Sequence, residues 1–287
     1  MKNFEKKPQP IDGLQSLFDA YSAFIFDQWG VLHEGANAYP KARETLAELK
    51  KRGKKIILLS NSGKFADSNL KNLNRLGFDS SWFDHVITSG EALLFSIQQK
   101  IWPFLSQPVM KVPSHRYTQE EWEKFPLAYT TDWEKACSVL LRGIDEEVPF
   151  EDYKSFLKPA LENKLPLLCV NPDQYAITEG GRLFFGPGTL AGWYEEFGQV
   201  YYLGKPHPEV YDICKKILSP FSPSQTLCIG DSLDHDIAGG NQNGFPTLLL
   251  GQGILKNKIL EAAEPIEKIY QLSLIAKAFP DYYSFGL

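Results

Sequence analysis

The chain of 287 residues predicts an α/β fold built on a parallel sheet. Short apolar runs recur along it, each run ends in Gly, Asp, Ser or Asn, and stretches of helical period lie between them. The first run, Ala23–Phe26, leads into Asp27. Residues 55–59 lead into Ser60-Asn61, and His85–Thr88 into Ser89-Gly90. Later, residues 201–203 lead into Gly204-Lys205, 226–229 into Gly230-Asp231, and 246–250 into Gly251. Between the first two runs, KARETLAELKK at 41–51 places apolar residues at 42, 46 and 49 with charges elsewhere. That is the period of an amphipathic helix, and Gly53 supplies its stop. Residues 65–76 and Pro208–Leu218 read likewise. Ligands of such sheets bind at the carboxyl ends of the strands. Asp27, Ser60, Lys205 and Asp231, distant in sequence, are therefore expected to meet at one edge of the sheet.

The pattern breaks between about 91 and 190. A helix-like run (EALLFSIQQ) gives way to Pro-rich, aromatic sequence. Two further strands follow at 138–142 and 167–170, with a helix at 153–163 between them, and the stretch closes on Gly180-Gly181 and Gly186-Pro187-Gly188. The reading is a core domain of residues 1–90 and 189–287 with an inserted α/β domain over 91–188, hinged near Glu91 and Gly188.

Composition narrows the classes. Hydrophobic residues make up 43% and charged residues 23%, ordinary for a globular protein. The net charge of −5 gives no basic footprint for nucleic acid. The N-terminal MKNFEKKPQPIDG lacks an apolar segment after its charges, and no apolar run has the length of a membrane span. No nucleic-acid or membrane partner is expected, and a cytoplasmic location is. Cys137, Cys169, Cys214 and Cys228 form no CxxC pair and are expected to be buried reduced thiols.

FIFDQWGVL at 24–32, LLSNS at 58–62, LGKPHPEVY at 203–211 and CIGDSLDHD at 228–236 resemble, in order, the four motifs of the haloacid dehalogenase superfamily. The resemblance implies a Rossmann-like, doubly wound core. The extra domain lies between Ser60 and Lys205 and includes VLLRGIDEEVPFEDYKSFLKPALENKLPLLCVNPDQYA at 139–176, which resembles the class IIA cap of sugar and nucleotide monophosphatases.

The resemblance implies roles residue by residue. Asp27 is the nucleophile that would form an aspartyl-phosphate. Asp27, the backbone carbonyl of Trp29, and Asp231 are the ligands of Mg²⁺, which draws carboxylate and phosphate together. Asp236 orients metal waters or pairs with Lys205. Ser60 and Lys205 offset charge on the transferring phosphoryl group. Asn61 and Ser62 extend that donor set, and Asn171 and Asp173 contact substrate from the cap. Asn171-Pro172-Asp173 also reads as a simple turn.

One position departs from the family. Phosphatases of this superfamily carry a second aspartate two residues after the nucleophile, which protonates the leaving oxygen. Here that residue is Trp29, a neutral N–H donor only. His33 is the candidate substitute proton donor, because an unperturbed imidazole titrates near neutrality.

Three readings stand at this stage. The first is a Mg²⁺-dependent phosphatase of a small phosphorylated metabolite. The second is a phosphometabolite-binding protein with weakened catalysis. The third is a dehalogenase-type hydrolase attacking carbon, which the retained GDxxxxD disfavours. A homodimer is expected by analogy with capped class IIA relatives.

Overall fold

The computed structural model describes residues 6–177 and 183–287. The strands in chain order are β1 (Gln9–Pro10), β2 (Ala23–Phe26), β3 (Lys55–Ser60), β4 (His85–Thr88), β5 (Val109–Lys111), β6 (Tyr129–Thr130), β7 (Ser138–Leu141), β8 (Leu167–Cys169), β9 (Tyr175–Ile177), β10 (Leu183–Phe185), β11 (Val200–Tyr202), β12 (Thr226–Gly230), β13 (Thr247–Leu250) and β14 (Tyr282–Ser284). The contacts divide the chain into two compact units. The first is Met1–Ser60, Asn69–Ile87 and Lys205–Leu287; the second is Asn61–Ser68 and Thr88–Gly204.

The first unit holds a seven-stranded sheet of order β1-β14-β13-β12-β2-β3-β4. Its central strand, β2, is AFIF with every residue buried, as expected for a parallel strand covered on both faces. Phe26 lies opposite Ile229 of β12 on one side and Leu58 of β3 on the other. This register brings the carboxyl ends of β2, β3 and β12 level, and it is here that strand order reverses direction across the sheet. Crevices at such switch points are the ligand sites of doubly wound sheets.

Helix α1 (Ala42–Lys51) forms as its periodicity predicts. It buries Ala42, Thr45, Leu46 and Leu49, and it stops at Gly53, whose φ of 70° suits a residue without a Cβ. Leu46 and Leu49 join Phe24, Phe26, Ile56, Leu58, Leu227 and Ile229 in one core. Truncating either phenylalanine to alanine would cost about 3–5 kcal/mol. The two tails of the chain extend the sheet: β1 pairs with β14 and β14 with β13, all parallel. Nothing in the alternation of the first or last dozen residues had marked them as strands.

The second unit has its own sheet, β11-β8-β7-β5-β6, with parallel pairing throughout, and an antiparallel pair of β9 and β10. Val139, Leu141, Leu157, Leu167, Cys169, Leu190 and Tyr194 form a separate core. Two expectations need correction. The apolar run near 201–203 was assigned to the core sheet, but β11 pairs with β8 in the second sheet, so the return boundary falls after Gly204 rather than at 188. A three-residue apolar run has no feature that states which of two parallel sheets it joins. The outgoing boundary also differs, because residues 61–68 pack with the second unit. Gly180-Gly181 lie outside the described residues. Of the cysteines, Cys169, Cys214 and Cys228 are buried as expected, whereas Cys137 is exposed, one residue ahead of β7. No helix among the described residues is long and apolar enough to cross a membrane.

Candidate active site

Asp27 leaves the end of β2 with its backbone N–H bonded to the Ile229 carbonyl at 2.9 Å, which fixes it at the sheet edge. Its side chain is 11% exposed. The ammonium of Lys205 donates to Asp27 Oδ1 and, at 2.7 Å, to Asp236 Oδ1. All three of these side chains sit among buried apolar neighbours that include Ile25, Leu59 and Ile229. Lys205 therefore reaches this cluster by its own side chain, following a strand of the other sheet, and not as the terminus of a strand beside β2.

Asp236 is placed by a π-helical turn, Leu233–Ile237. The Ile237 N–H bonds to the Ser232 carbonyl at 3.1 Å, a five-residue step that widens the helix. Ser232 caps the turn, its hydroxyl accepting from the His235 N–H at 3.3 Å. Asp236 Oδ2 accepts in turn from the Ser232 N–H at 3.2 Å. Gly230 is required beside it, since a Cβ there would fall 2.1 Å from the Asp236 Cβ. Asp234 of the same motif is exposed.

Asp231 follows β12 directly and is buried. Its Oδ2 accepts from the Ile254 N–H at 2.7 Å. Two glycines press on it: a Cβ at Gly30 would lie 1.9 Å from Asp231 Oδ2, and one at Gly253 would lie 2.0 Å from the same atom. Gly30 also has φ +77°, so the turn after Trp29 needs glycine on both counts. Ser60, at the end of β3, is 4% exposed.

The electrostatics follow from this crowding. Ligand oxygens of Asp27, Asp231 and Asp236 all lie within 4.8 Å of one another. Burial raises Asp27 most, the Lys205 ammonium pulls it back and Asp236 raises it further, leaving its pKa at about 7. Burial, then the charges of Asp27 and Asp236, push Asp231 well above the usual carboxylate range. For Lys205 burial works against the charge, but Asp236 and Asp27 outweigh it and hold the ammonium above its ordinary range. Three carboxylates share one ammonium in a desolvated place, so ionising all three together is costly without a further cation. The donors are all oxygen, the set preferred by a hard divalent ion such as Mg²⁺.

The proton-donor expectation for His33 is corrected. The ring is fully buried. Nδ1 accepts from the Gly35 N–H at 3.0 Å, and Nε2 lies 3.1 Å from the Gln28 side-chain amide. Nδ1 is thus unprotonated, the proton sits on Nε2, and the Gln28 oxygen is the atom that belongs opposite it. Burial, aided by the charge of Arg75, lowers the pKa to about 4. His33 is a neutral post that holds its own turn. Its ring meets that of Trp29 edge-on at 4.8 Å, and a backbone bridge joins the two residues. Trp29 itself is 42% exposed.

The remaining expected residues gather in the second unit. The Asn61 side-chain amide donates to Asp173 Oδ1 at 2.8 Å, and Asn171 Oδ1 accepts from the Asp173 N–H at 3.0 Å. The latter is the turn that Asn-Pro-Asp favours. Ser62 Oγ accepts from the Lys64 N–H at 3.2 Å. The same segment reveals a residue that motif reading passed over. Arg142 is fully buried at the end of β7, with its guanidinium 4.1 Å from the Tyr117 ring centroid, 4.4 Å from Trp122 and 4.7 Å from Phe125. It donates through Nε and Nη2 to the Gly63 carbonyl at 3.3 and 2.8 Å. The only hint in sequence was a charge closing the apolar run SVLL.

Two family models match the chain. One described as haloacid dehalogenase-like hydrolase covers residues 24–112, and one described as HAD-hydrolase-like covers 202–276. Together they span more than half of the chain and take in Asp27, Ser60, Lys205, Asp231 and Asp236.

The chain belongs to the haloacid dehalogenase-like hydrolases.

Among proteins of this family, a glycerol-3-phosphate phosphatase of Gallus gallus is 26% identical, the match covering 90% of this chain and 87% of the relative. Chronophin of Homo sapiens is 25% identical over 94% of this chain and 92% of its own length. A solved haloacid dehalogenase-like hydrolase from Brucella suis 1330 superposes with a TM-score of 0.77 at 27% identity, over 85% of this chain and 90% of that one. The two-sheet parallel α/β architecture is the family's.

Proposed function

We propose that the chain is a class IIA phosphatase that hydrolyses a small phosphate monoester, with Asp27 as nucleophile and Mg²⁺ as cofactor. The observation that carries the reading is the buried set of Asp27, Asp231 and Asp236 with Lys205 among them. The names of the relatives, a glycerol-3-phosphate phosphatase among them, support the same reaction class.

In the first step an Asp27 oxygen attacks phosphorus, and the bond to the leaving oxygen breaks. The product is an aspartyl-phosphate. Water then attacks phosphorus, releasing phosphate and restoring the carboxylate. Lys205 keeps charge complementary to the transferring group while drawing Asp27 toward its ionised form. Asp236 holds Lys205 in place. The Ser60 hydroxyl donates to a phosphoryl oxygen. Asp27, Asp231 and the Trp29 carbonyl would hold the Mg²⁺, which supplies charge neutralisation between nucleophile and phosphate. Asn61 and Ser62 would add donors, and Asn171 and Asp173 would bear on substrate choice. A cytoplasmic location and a homodimer accompany the reading by analogy.

The test is a panel of phosphate monoesters with and without Mg²⁺, applied to wild type and Asp27→Asn. Mg²⁺-dependent phosphate release that the substitution abolishes, with circular dichroism unchanged, supports the mechanism. Substantial residual turnover by Asp27→Asn would sink it.

A second reading has its own observation, the indole of Trp29 beside a His33 that is neutral and engaged at both ring nitrogens. A protein that binds Mg²⁺ and phosphorylated metabolites but turns none over would fit it. Carbon-attacking dehalogenation is the third reading. Halide release without a metal would be its sign.

A further inference from the structure

Trp29 is bracketed by the cluster. Two residues before it stands Asp27, and the next residue, Gly30, rests its Cα against the Asp231 carboxylate. The peptide unit that carries the indole is therefore fixed at the reacting carboxylates. The ring has a held aromatic neighbour. His33 meets it edge-on at 4.8 Å and 64°, and His33 is itself held by Gln28 and by the Gly35 N–H. The ring is 42% exposed with His33 against it edge-on, which leaves aromatic surface open to a flat ligand two residues from Asp27.

Among the described residues, the polar side chains that cluster with Asp27 are already held by other partners. Asp236 accepts on both oxygens, from Lys205 and from the Ser232 N–H. Asp231 accepts from Ile254, and Lys205 is pinned between two carboxylates. The His33 ring is fully buried with both nitrogens occupied.

We infer that the chain selects aryl phosphates, esters whose leaving group is an aromatic, acidic hydroxyl that stacks on Trp29 and departs without protonation. The inference rests on the phosphatase reading above and names its substrate class. As the Asp27 oxygen–phosphorus bond forms, the phosphorus–oxygen bond to the ring breaks. Its electron pair stays on the oxygen, which leaves as a phenolate. Water then attacks phosphorus, Asp27 departs from it, phosphate is released, and the proton lost by water reaches the phenolate through solvent. An alkoxide, far more basic, does not leave this way at a useful rate.

Four substrates separate stacking from leaving-group acidity. 4-Nitrophenyl phosphate is aromatic with an acidic leaving group. Acetyl phosphate has an acidic leaving group but no ring. Benzyl phosphate has a ring on an alkyl leaving group, and glycerol 3-phosphate has neither property. With Mg²⁺ present, kcat is expected to be at least about 10²-fold higher for the two acidic leaving groups, the usual scale of general acid catalysis. Trp29→Ala should raise KM about tenfold more for the two aromatic substrates than for the other two, on the scale of a lost aromatic contact. Trp29→Phe should restore the aromatic KM values. Trp29→Asp should raise kcat for benzyl and glycerol phosphates selectively. Turnover of glycerol 3-phosphate within tenfold of 4-nitrophenyl phosphate overturns the inference, as does an equal KM change for all four substrates in Trp29→Ala. Both outcomes leave the phosphatase reading standing. Absence of phosphate release from all four would instead overturn that reading, and the inference with it.

Discussion

The Lys205 ammonium lies 2.7 Å from Asp236 Oδ1 and touches Asp27 Oδ1 as well, so a single buried cation serves two carboxylates. A third carboxylate, Asp231, stands in the same cluster. Removing that cation leaves the negative charges facing one another in a poorly solvated site. Lys205→Met is expected to destabilise the protein by about 3–5 kcal/mol at pH 8 in the absence of divalent ions. The loss should shrink toward pH 5 as the carboxylates take up protons. Denaturant unfolding at the two pH values measures both effects; an equal loss at both would mean that repulsion is not the cause.

His33 gives a pH dependence with a definite sign. Its folded pKa is lowered, from an ordinary value of 6.5 to about 4, because burial disfavours the cation. Between those values the unfolded chain binds a proton that the folded chain does not, so stability falls as pH drops through the window. At pH 5 the cost is about 2 kcal/mol relative to pH 8. A His33→Gln variant, compared with wild type by thermal unfolding at pH 8 and pH 5, should lack this component of the acid loss. Parallel pH profiles for the two proteins would refute the assignment.

Gly30 and Gly53 both have positive φ, 77° and 70°, but differ in their surroundings. A Cβ at Gly53 meets nothing within 4 Å, whereas one at Gly30 would fall on Asp231 Oδ2. Gly53→Ala should cost only backbone strain, about 1–2 kcal/mol, with activity intact. Gly30→Ala should displace Asp231 and lower kcat/KM by roughly 10²-fold, as misplacement of about 1 Å does. Steady-state kinetics on the two variants decides the matter.

Arg142 bears on the segment that follows Ser60. Arg142→Met would leave the Gly63 carbonyl without its two donors and the three rings without their cation. The expected cost is about 3 kcal/mol in total. Arg142→Lys keeps the charge but not the fork, and should recover part of it. Denaturant unfolding of wild type, Arg142→Met and Arg142→Lys measures the losses, and equal midpoints for wild type and Arg142→Met would refute the assignment.

Much of this was legible in one dimension. The runs ending at Asp27, Ser60 and Asp231 are strands β2, β3 and β12, because four to six apolar residues closed by a polar one suit a parallel strand buried on both faces. The helix ending at Gly53 was legible by its period and its stop. Asp27 and Asp231 were legible because a strand end commits a side chain to a known edge of the sheet. Lys205, which follows a strand of the second sheet, and Asp236, on a π-helical turn, were legible only through the motifs that carry them. β1, β14 and the home of β11 were not, since two or three residues carry no period and choice of sheet is made by distant partners.

Sequence alone therefore determined the kind of sheet, the order of its strand-end groups and the presence of an indole where an acid was expected. It could not determine what surrounds each group. His33 has a composition suited to proton transfer, yet its burial against Trp29, Gln28 and Gly35 makes it a neutral structural ring. Arg142 carries no motif, yet an aromatic cage and the carbonyls of Gly63 and Glu121 make it a clamp. Strand and helix identity are set by the spacing of apolar residues, a local property. Protonation, charge balance and accessibility are set by neighbours that only the folded chain assembles.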